Sequence, residues 1–366
     1  MIVFSHLLND RSGSSRVLLS VMNLVGDPES NLLYLGGRPG GLLDSANGKV
    51  RHYWYQRSNF RGLTLIAYLW SQLALFVRML CDRQIDRTAV IYVNTLMPCG
   101  AAIYGWVTRK PVVYHLHELS IEPKPLRFFL IKVAKLTATR LIYVSDAHRS
   151  LLPIADDRAV TIHNALDKAW FTAKRVSRPT RNKFSVLMLS YNRPYKGVPE
   201  FLAMAERYCG RDDIEFHLVL SDGFEAMSGR PHLSNLTIHP PSNQPEDFYS
   251  RADVVLNLSR LDLCIETFGL TLLEAMAFGI PVIAPPFGGP AELVRDGQEG
   301  FLIDSRDSQA LDAAIARLAQ DRETYNAMAA AAHIRSKQFE SDRFGVAILE
   351  VIEAAREGYL RHGKTN

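Results

Sequence analysis

The sequence predicts an α/β protein made of two doubly wound, Rossmann-like domains that face each other across a cleft. Three observations carry this expectation. Apolar, β-rich runs recur through both halves of the chain, separated mostly by helical stretches. The runs are continuous rather than alternating, as in parallel strands covered on both faces. A chain of 366 residues is long for one core and suits two.

In the first half the strand-like runs are MIVFSHL, NLLYLGG, AVIYVNT, PVVYHLH and RLIYVSD. In the second half they are FSVLMLSY, IEFHLVLS, ADVVLNLS and IPVIAPP. The polar, basic stretch 171–183 is expected to link an N-terminal domain, residues 1–170, to a C-terminal domain, residues 184–344. Alanine-rich periodicity predicts helix from about residue 308. A last helix near 345–366 is expected to return to the first domain. GGRPGG (36–41) and PPFGGP (285–290) read as loops. In open sheets of this kind ligands sit outside the carboxyl ends of the strands, so the loops that follow strands are the places to look for chemistry.

Composition narrows the class. Hydrophobic content of 47% with 22% charged residues describes an ordinary folded protein. The four cysteines, Cys81, Cys99, Cys209 and Cys264, form no Cys-x-x-Cys pair. That argues against a zinc site and a disulfide framework. The run LTLIAYLWSQLALFVRML (63–80) is broken by Ser71, Gln72 and Arg78, and reads as a buried or interfacial helix rather than a membrane span. MIVFSHLL reads as a strand rather than a signal peptide, so a cytoplasmic location is expected. Charge is uneven. Residues 1–174 carry 21 Lys/Arg and 12 Asp/Glu, hence +9; residues 175–366 carry 21 and 26, hence −5. The basic half suits an anionic partner, a nucleic acid or an anionic membrane surface.

Four stretches bear chemistry. In ETFGLTLLEAMAFGIP (266–281) a helix is expected from near Leu270, stopped by Gly279 and Pro281. Glu266 then lies just outside the helix start and Glu274 a turn inside. The free N–H groups at Gly269 and its neighbours make an anion site. Two carboxylates beside it can each accept paired hydroxyl hydrogen bonds, so a phosphate-linked sugar fits. In SYNRPYKGVPEFL (190–202), Arg193 and Lys196 sit in a strand-to-helix loop beside Gly197, which suits a diphosphate. In PVVYHLHELS (111–120), His115, His117 and Glu118 follow a strand end. They are too few for a metal centre, and the chain has no Asp-x-Asp pair. A strand-end histidine acting through hydrogen bonds is expected, with Glu118 either orienting His117 or facing water. In NDRSGSSRVLL (9–19), Gly13 among serines permits close backbone approach to a ligand. The stretch is neither Gly-x-Gly-x-x-Gly nor a Walker A loop.

The block ETFGLTLLEAMAFGIPVIAPPFGGPAELVRDGQEGFLI (266–303), with Glu266 and Glu274 separated by seven residues, resembles the signature of the retaining GT-B glycosyltransferases of family four, the glycosyl transferases group one. HLHE, IYVSDAH, IHNALD and SRADVVLNLS occur in that family's order. The resemblance implies a metal-independent hexosyltransferase using a nucleotide-diphosphate sugar as co-substrate, with no cofactor. It implies that Glu266 contacts the transferred hexose and that Glu274 holds the ribose hydroxyls. Arg193 and Lys196 would meet the diphosphate, and His117 the sugar. Gly13 and Arg16 match the glycine-rich loop of the first domain. The amides of Phe268, Gly269 and Leu270 would meet sugar and phosphate. The acceptor expected is a glycan or lipid-linked glycan of cell-surface polysaccharide synthesis. No nucleic acid partner is expected. The basic helix 124–140, with an apolar face including Phe128, Phe129, Ile131 and Val133, is expected at an anionic membrane surface. The other readings are a GT-B epimerase or phosphorylase and a non-catalytic nucleotide-sugar-binding protein.

Overall fold

The computed structural model describes residues 1–172, 183–227 and 232–362. The chain divides into two units. The first is Met1–Ala165 with the chain from Ser341 onward, and the second is Leu166–Glu340. The boundary falls five residues before the expected one, because the helix Lys168–Thr172 belongs to the second unit. Most of the expected linker 171–183 lies outside the described residues.

In the first unit seven parallel strands form one sheet: β1 (Ile2–His6), β2 (Leu32–Gly36), β3 (Lys49–Tyr53), β4 (Val90–Asn94), β5 (Val112–Leu116), β6 (Arg140–Tyr143) and β7 (Ala159–Thr161). Their order is β3-β2-β1-β4-β5-β6-β7. The central strands are buried along their whole length, which is why they read as unbroken apolar runs. The helices Gly13–Leu24 and Ser341–His362 pack together. The helices Arg61–Cys81, Cys99–Val107 and Lys124–Thr137 lie side by side in that order. Right-handed crossovers in a sheet whose order reverses between β1 and β4 put these two groups on opposite faces.

In the second unit six parallel strands repeat the pattern: β8 (Phe184–Ser190), β9 (Ile214–Leu220), β10 (Leu236–His239), β11 (Val254–Leu256), β12 (Val282–Ala284) and β13 (Gly300–Leu302). The order is β10-β9-β8-β11-β12-β13. Each sheet therefore has one point where successive crossovers leave in opposite directions, β1/β4 and β8/β11. The carboxyl ends of such a strand pair leave a crevice that no helix covers.

The helix Lys124–Thr137 corrects one expectation. Val133 faces the core with Leu126, Leu130, Ala134 and Thr137. The apolar residues left in water are Phe128, Phe129 and Leu136. A single helix cannot spend the same side chain on the sheet and on a surface.

Candidate active site

In the second unit the chemistry gathers at the β8/β11 crevice. The loop after β8 carries Arg193 and Lys196. The loop after β11 runs from Asn257 through Glu266 to the helix Leu270–Ala277. Gly197 holds φ +77°, and a Cβ there would lie 2.0 Å from the Leu258 carbonyl oxygen. Only glycine lets the two loops approach this closely. The Arg260 N–H donates to the Tyr195 carbonyl at 2.8 Å and fastens them together.

Lys196 Nζ donates to Glu266 Oε2 at 2.6 Å, and the Ser259 hydroxyl donates to the same oxygen at 3.3 Å. Burial pushes the Glu266 carboxyl up. The Lys196 ammonium, with the hydrogen bonds of Ser259 and Asn257, outweighs it and holds the group below its ordinary value. Burial pulls Lys196 down, and the Glu266 charge more than restores it. Both groups are therefore charged at neutral pH. The Glu266 backbone is held from behind: the Gly289 N–H donates to its carbonyl at 3.0 Å. A Cβ at Gly289 would lie 2.2 Å from the Thr267 carbonyl oxygen, so the loop PPFGGP needs its glycines to support the carboxylate-bearing segment.

Arg193 Nη2 pairs with Asp222 Oδ2 at 2.6 Å, and the Asn192 N–H donates to Asp222 Oδ1 at 2.8 Å. The guanidinium remains half exposed. Gly269 precedes the helix, and the first N–H groups of Leu270–Ala277 have no acceptor within it by geometry. Phe268 is buried with its ring near Phe339, so this residue meets the site through its backbone. Glu274 is 3% exposed, and the Tyr249 hydroxyl donates to its Oε2 at 2.6 Å. Tyr249 is wedged among Trp170 and Phe278 rings. A buried carboxylate held by a buried tyrosine is a rigid acceptor for hydroxyl groups.

In the first unit, polar side chains gather at the β1/β4 crevice. His117 Nε2 donates to Asn94 Oδ1 at 3.0 Å. The Asn94 amide donates to His6 Nδ1 at 3.1 Å and to the Ser14 carbonyl at 3.0 Å. His6 Nε2 then faces the Ser15 hydroxyl at 3.2 Å, which donates to Asp10 Oδ1 at 2.7 Å. Read in one direction, donors and acceptors close without conflict from His117 to Asp10. Burial lowers the pKa of His6, and of His117 well below the ordinary value, so both rings are neutral. Asp10 Oδ1 also accepts from the Ser12 hydroxyl at 2.6 Å. The serines around Gly13 thus shape the turn that opens the helix Gly13–Leu24, in which Arg16 lies one turn along.

Glu118 is partly exposed and engages the backbone of its own surroundings. Its carboxylate accepts from the backbone N–H groups of Leu96 and His117, each at 3.4 Å, and burial raises its pKa. The His115 ring packs against that of His117, centroids 4.4 Å apart, with Nδ1 2.8 Å from the Tyr92 hydroxyl, and burial takes it down to about 3. Among the described residues no group of three or more His, Cys, Asp or Glu side chains could hold a metal ion.

The structure thus joins Lys196 to Glu266, and Arg193 to the loop after β9. It places Glu274 in the core of its helix packing. His117, Gly13 and Arg16 belong to the first unit. Tyr249, Asp222, Ser259, Asn94 and His6 were not singled out from sequence. Asn94 and His6 end apolar strands, which is the one signal that could have found them. Tyr249 carries no local signal, because its partner is 25 residues away.

Solved structures share this architecture. Anabaena HepE in complex with UDP-glucose matches with a TM-score of 0.76 at 21% identity, over 96% of this chain and 99% of that one. Sucrose-phosphate synthase from Thermosynechococcus elongatus matches at 0.73 and 17%, over 96% and 98%. The fold is that of the GT-B glycosyltransferases. Residues 171–335 match the family model described as glycosyl transferases group 1. Among curated relatives, a D-inositol 3-phosphate glycosyltransferase of Streptomyces griseus is 31% identical over 152 residues, 41% of this chain and 31% of that protein. A sucrose synthase of Acidithiobacillus caldus is 56% identical over 45 residues, 12% of this chain and 6% of that protein. These matches span about a third or less of the relatives' own length.

Proposed function

We propose that the protein is a retaining glycosyltransferase that moves a hexose from a nucleotide-diphosphate sugar to a glycan or lipid-linked glycan acceptor. Its place is in cell-surface polysaccharide synthesis, in the cytoplasm and peripheral to the inner face of the membrane. The observation that carries the transfer reading is the Lys196–Glu266 pair beside the start of the helix Leu270–Ala277, with Glu274 fixed one turn along by Tyr249. This sequence of groups suits, in order, a hexose, a diphosphate and a ribose.

In this reading Arg193, Lys196 and the amides of Phe268, Gly269 and Leu270 take the diphosphate. Glu274 accepts from the ribose hydroxyls. Glu266 and the neutral ring of His117 contact the hexose. The bond from the anomeric carbon to the diphosphate oxygen breaks first. The acceptor hydroxyl oxygen bonds to the same face, and its proton passes to the departing phosphate oxygen. No side chain need form a covalent intermediate. The protein's part is to hold fixed positive charge where negative charge develops. No metal and no further cofactor enter the scheme.

The test is turnover of a panel of nucleotide sugars, with and without glycan acceptors, preceded by thermal-shift screening of nucleoside diphosphates. Uridine nucleotides head the panel, since HepE is solved with UDP-glucose. Product with the donor's anomeric configuration, formed undiminished in a chelator, is the expected result. Inversion would remove the retaining assignment. Donor conversion without acceptor would point to an epimerase, and binding without turnover to a non-catalytic protein.

A further inference from the structure

The helix Arg61–Cys81 is apolar on two opposite faces. Tyr68, Ser71, Gln72, Leu75 and Met79 are buried against the first unit. Tyr68 OH donates to the Met97 carbonyl at 2.7 Å, and Gln72 Oε1 accepts from the Gly100 N–H at 3.1 Å, so the helix is tied down along its length. It is long and apolar enough to cross a membrane, yet these contacts lay it flat on the unit. On the other face Leu63, Ile66, Trp70, Leu73, Val77 and Leu80 are all exposed, Ile66 at 65% and Trp70 at 61%. Their spacing alternates three and four residues, a continuous stripe two positions, or about 200°, from the buried one.

The exposed apolar surface continues on the neighbouring helices. Trp106 and Val107 are exposed at the end of Cys99–Val107, and Phe128, Phe129 and Leu136 on Lys124–Thr137. Contiguous apolar surface of this kind marks an interaction site. The charge on the three helices has one sign. Residues 45–81, 87–117 and 123–145, which carry the three helices, contain no Asp or Glu. The cations Arg57, Arg61, Arg78, Arg109, Lys132 and Lys135 lie in these segments. Lys132 Nζ sits 4.4 Å from the Phe128 ring centroid, its stem along the apolar surface. Three of the four tryptophans, Trp54, Trp70 and Trp106, are more than half exposed on this unit, and tryptophan favours the boundary between lipid and water.

We propose that this three-helix face docks on a bilayer leaflet containing anionic phospholipid, with the stripe of Arg61–Cys81 as the inserting element and the basic residues of Lys124–Thr137 as its electrostatic flank. It rests on the peripheral-membrane part of the reading above and is independent of the transfer reaction. A second copy of the chain is the poorer occupant. Self-pairing would bring cations from both copies together on three helices that contain no acidic residue to receive them. A leaflet of anionic lipid supplies that charge and takes apolar side chains between its headgroups.

The experiment uses the full chain and vesicles of phosphatidylcholine, with and without about one-third phosphatidylglycerol. The wild type pellets with the anionic vesicles at low salt. Trp70→Glu with Val77→Glu lowers the apparent affinity by more than about tenfold. Lys132→Glu with Lys135→Glu lowers it at low salt and has little effect once salt has screened the charges. Uridine diphosphate binding, measured on the same preparations, stays unchanged, which separates loss of docking from failure of the transferase reading. Wild-type tryptophan emission shifts to the blue on vesicles and is quenched by bromolipid, a readout independent of whether any variant folds. No pelleting of the wild type at low salt overturns the proposal. So does equal pelleting of Trp70→Glu/Val77→Glu, or a wild-type dimer that this variant dissolves in the absence of lipid binding.

Discussion

At the scale of single residues the decisive contact is Lys196 to Glu266. Lys196→Ala removes a fixed charge from the proposed leaving-group site, and the rate should fall by about 10²–10³. It also strands Glu266 in a mostly enclosed position, so unfolding should become easier by about 1–3 kcal/mol. Turnover and chemical denaturation check the two effects separately. Loss of stability with full activity would place Lys196 outside the chemistry. The same geometry divides the two glutamates. Glu274→Ala should weaken binding of a bare nucleoside diphosphate by about tenfold, the worth of a hydrogen bond to a charged group. Glu266→Ala should leave that binding unchanged or tighter, because Lys196 is released from its 2.6 Å pair. Calorimetry that found both variants equally weak would reject this division. The charged types and their spacing were legible in the chain. Their partners were not, since Tyr249, Asp222 and Asn94 are ordinary residues until the fold brings them within hydrogen-bond reach.

At the scale of elements, the long central strands were the readable ones. β1, β2, β4, β5 and β6 are buried on both faces, and so are unbroken apolar runs. The strands missed were β3, β7, β10 and β13, at the sheet edges. An edge strand needs less apolar cover: β3 is KVRHY with only Tyr53 buried, and β13 is three residues long. The turn after β8 offers a test at this scale. Gly197→Ala must place a Cβ against the Leu258 carbonyl at a φ that side chains disfavour. A loss of about 1–3 kcal/mol is expected from the backbone strain alone. It should be accompanied by impaired transfer, because the turn carries Lys196. An unchanged melting temperature would show that the two loops can part without cost.

At the scale of the whole molecule, the first unit carries a set of neutral buried histidines. Burial lowers His6 and His117, takes His115 to about 3 and His148 to about 4. The unfolded chain binds protons at these sites near pH 6.5 while the folded unit does not. Stability therefore falls as pH drops from 6.5 toward those values, by up to about 1.4 kcal/mol per pH unit for each histidine. Glu118, raised by burial, works in the opposite sense but is a single group. Denaturant unfolding followed through the tryptophans of the first unit between pH 7 and pH 4 should show the loss, since both are ordinary working values for such a titration. A flat profile would mean that the rings are protonated in the folded state. The sequence by itself determined the two parallel α/β units and the signature around Glu266 and Glu274. Those features are written in local chemistry: apolar runs, helix stops, and charged residues at fixed spacing. Only the tertiary structure decided which partners hold the charges, which way each helix turns its apolar faces, and where the Arg61–Cys81 stripe is left in water. Those depend on residues far apart in the chain meeting across a sheet, which no window of sequence contains.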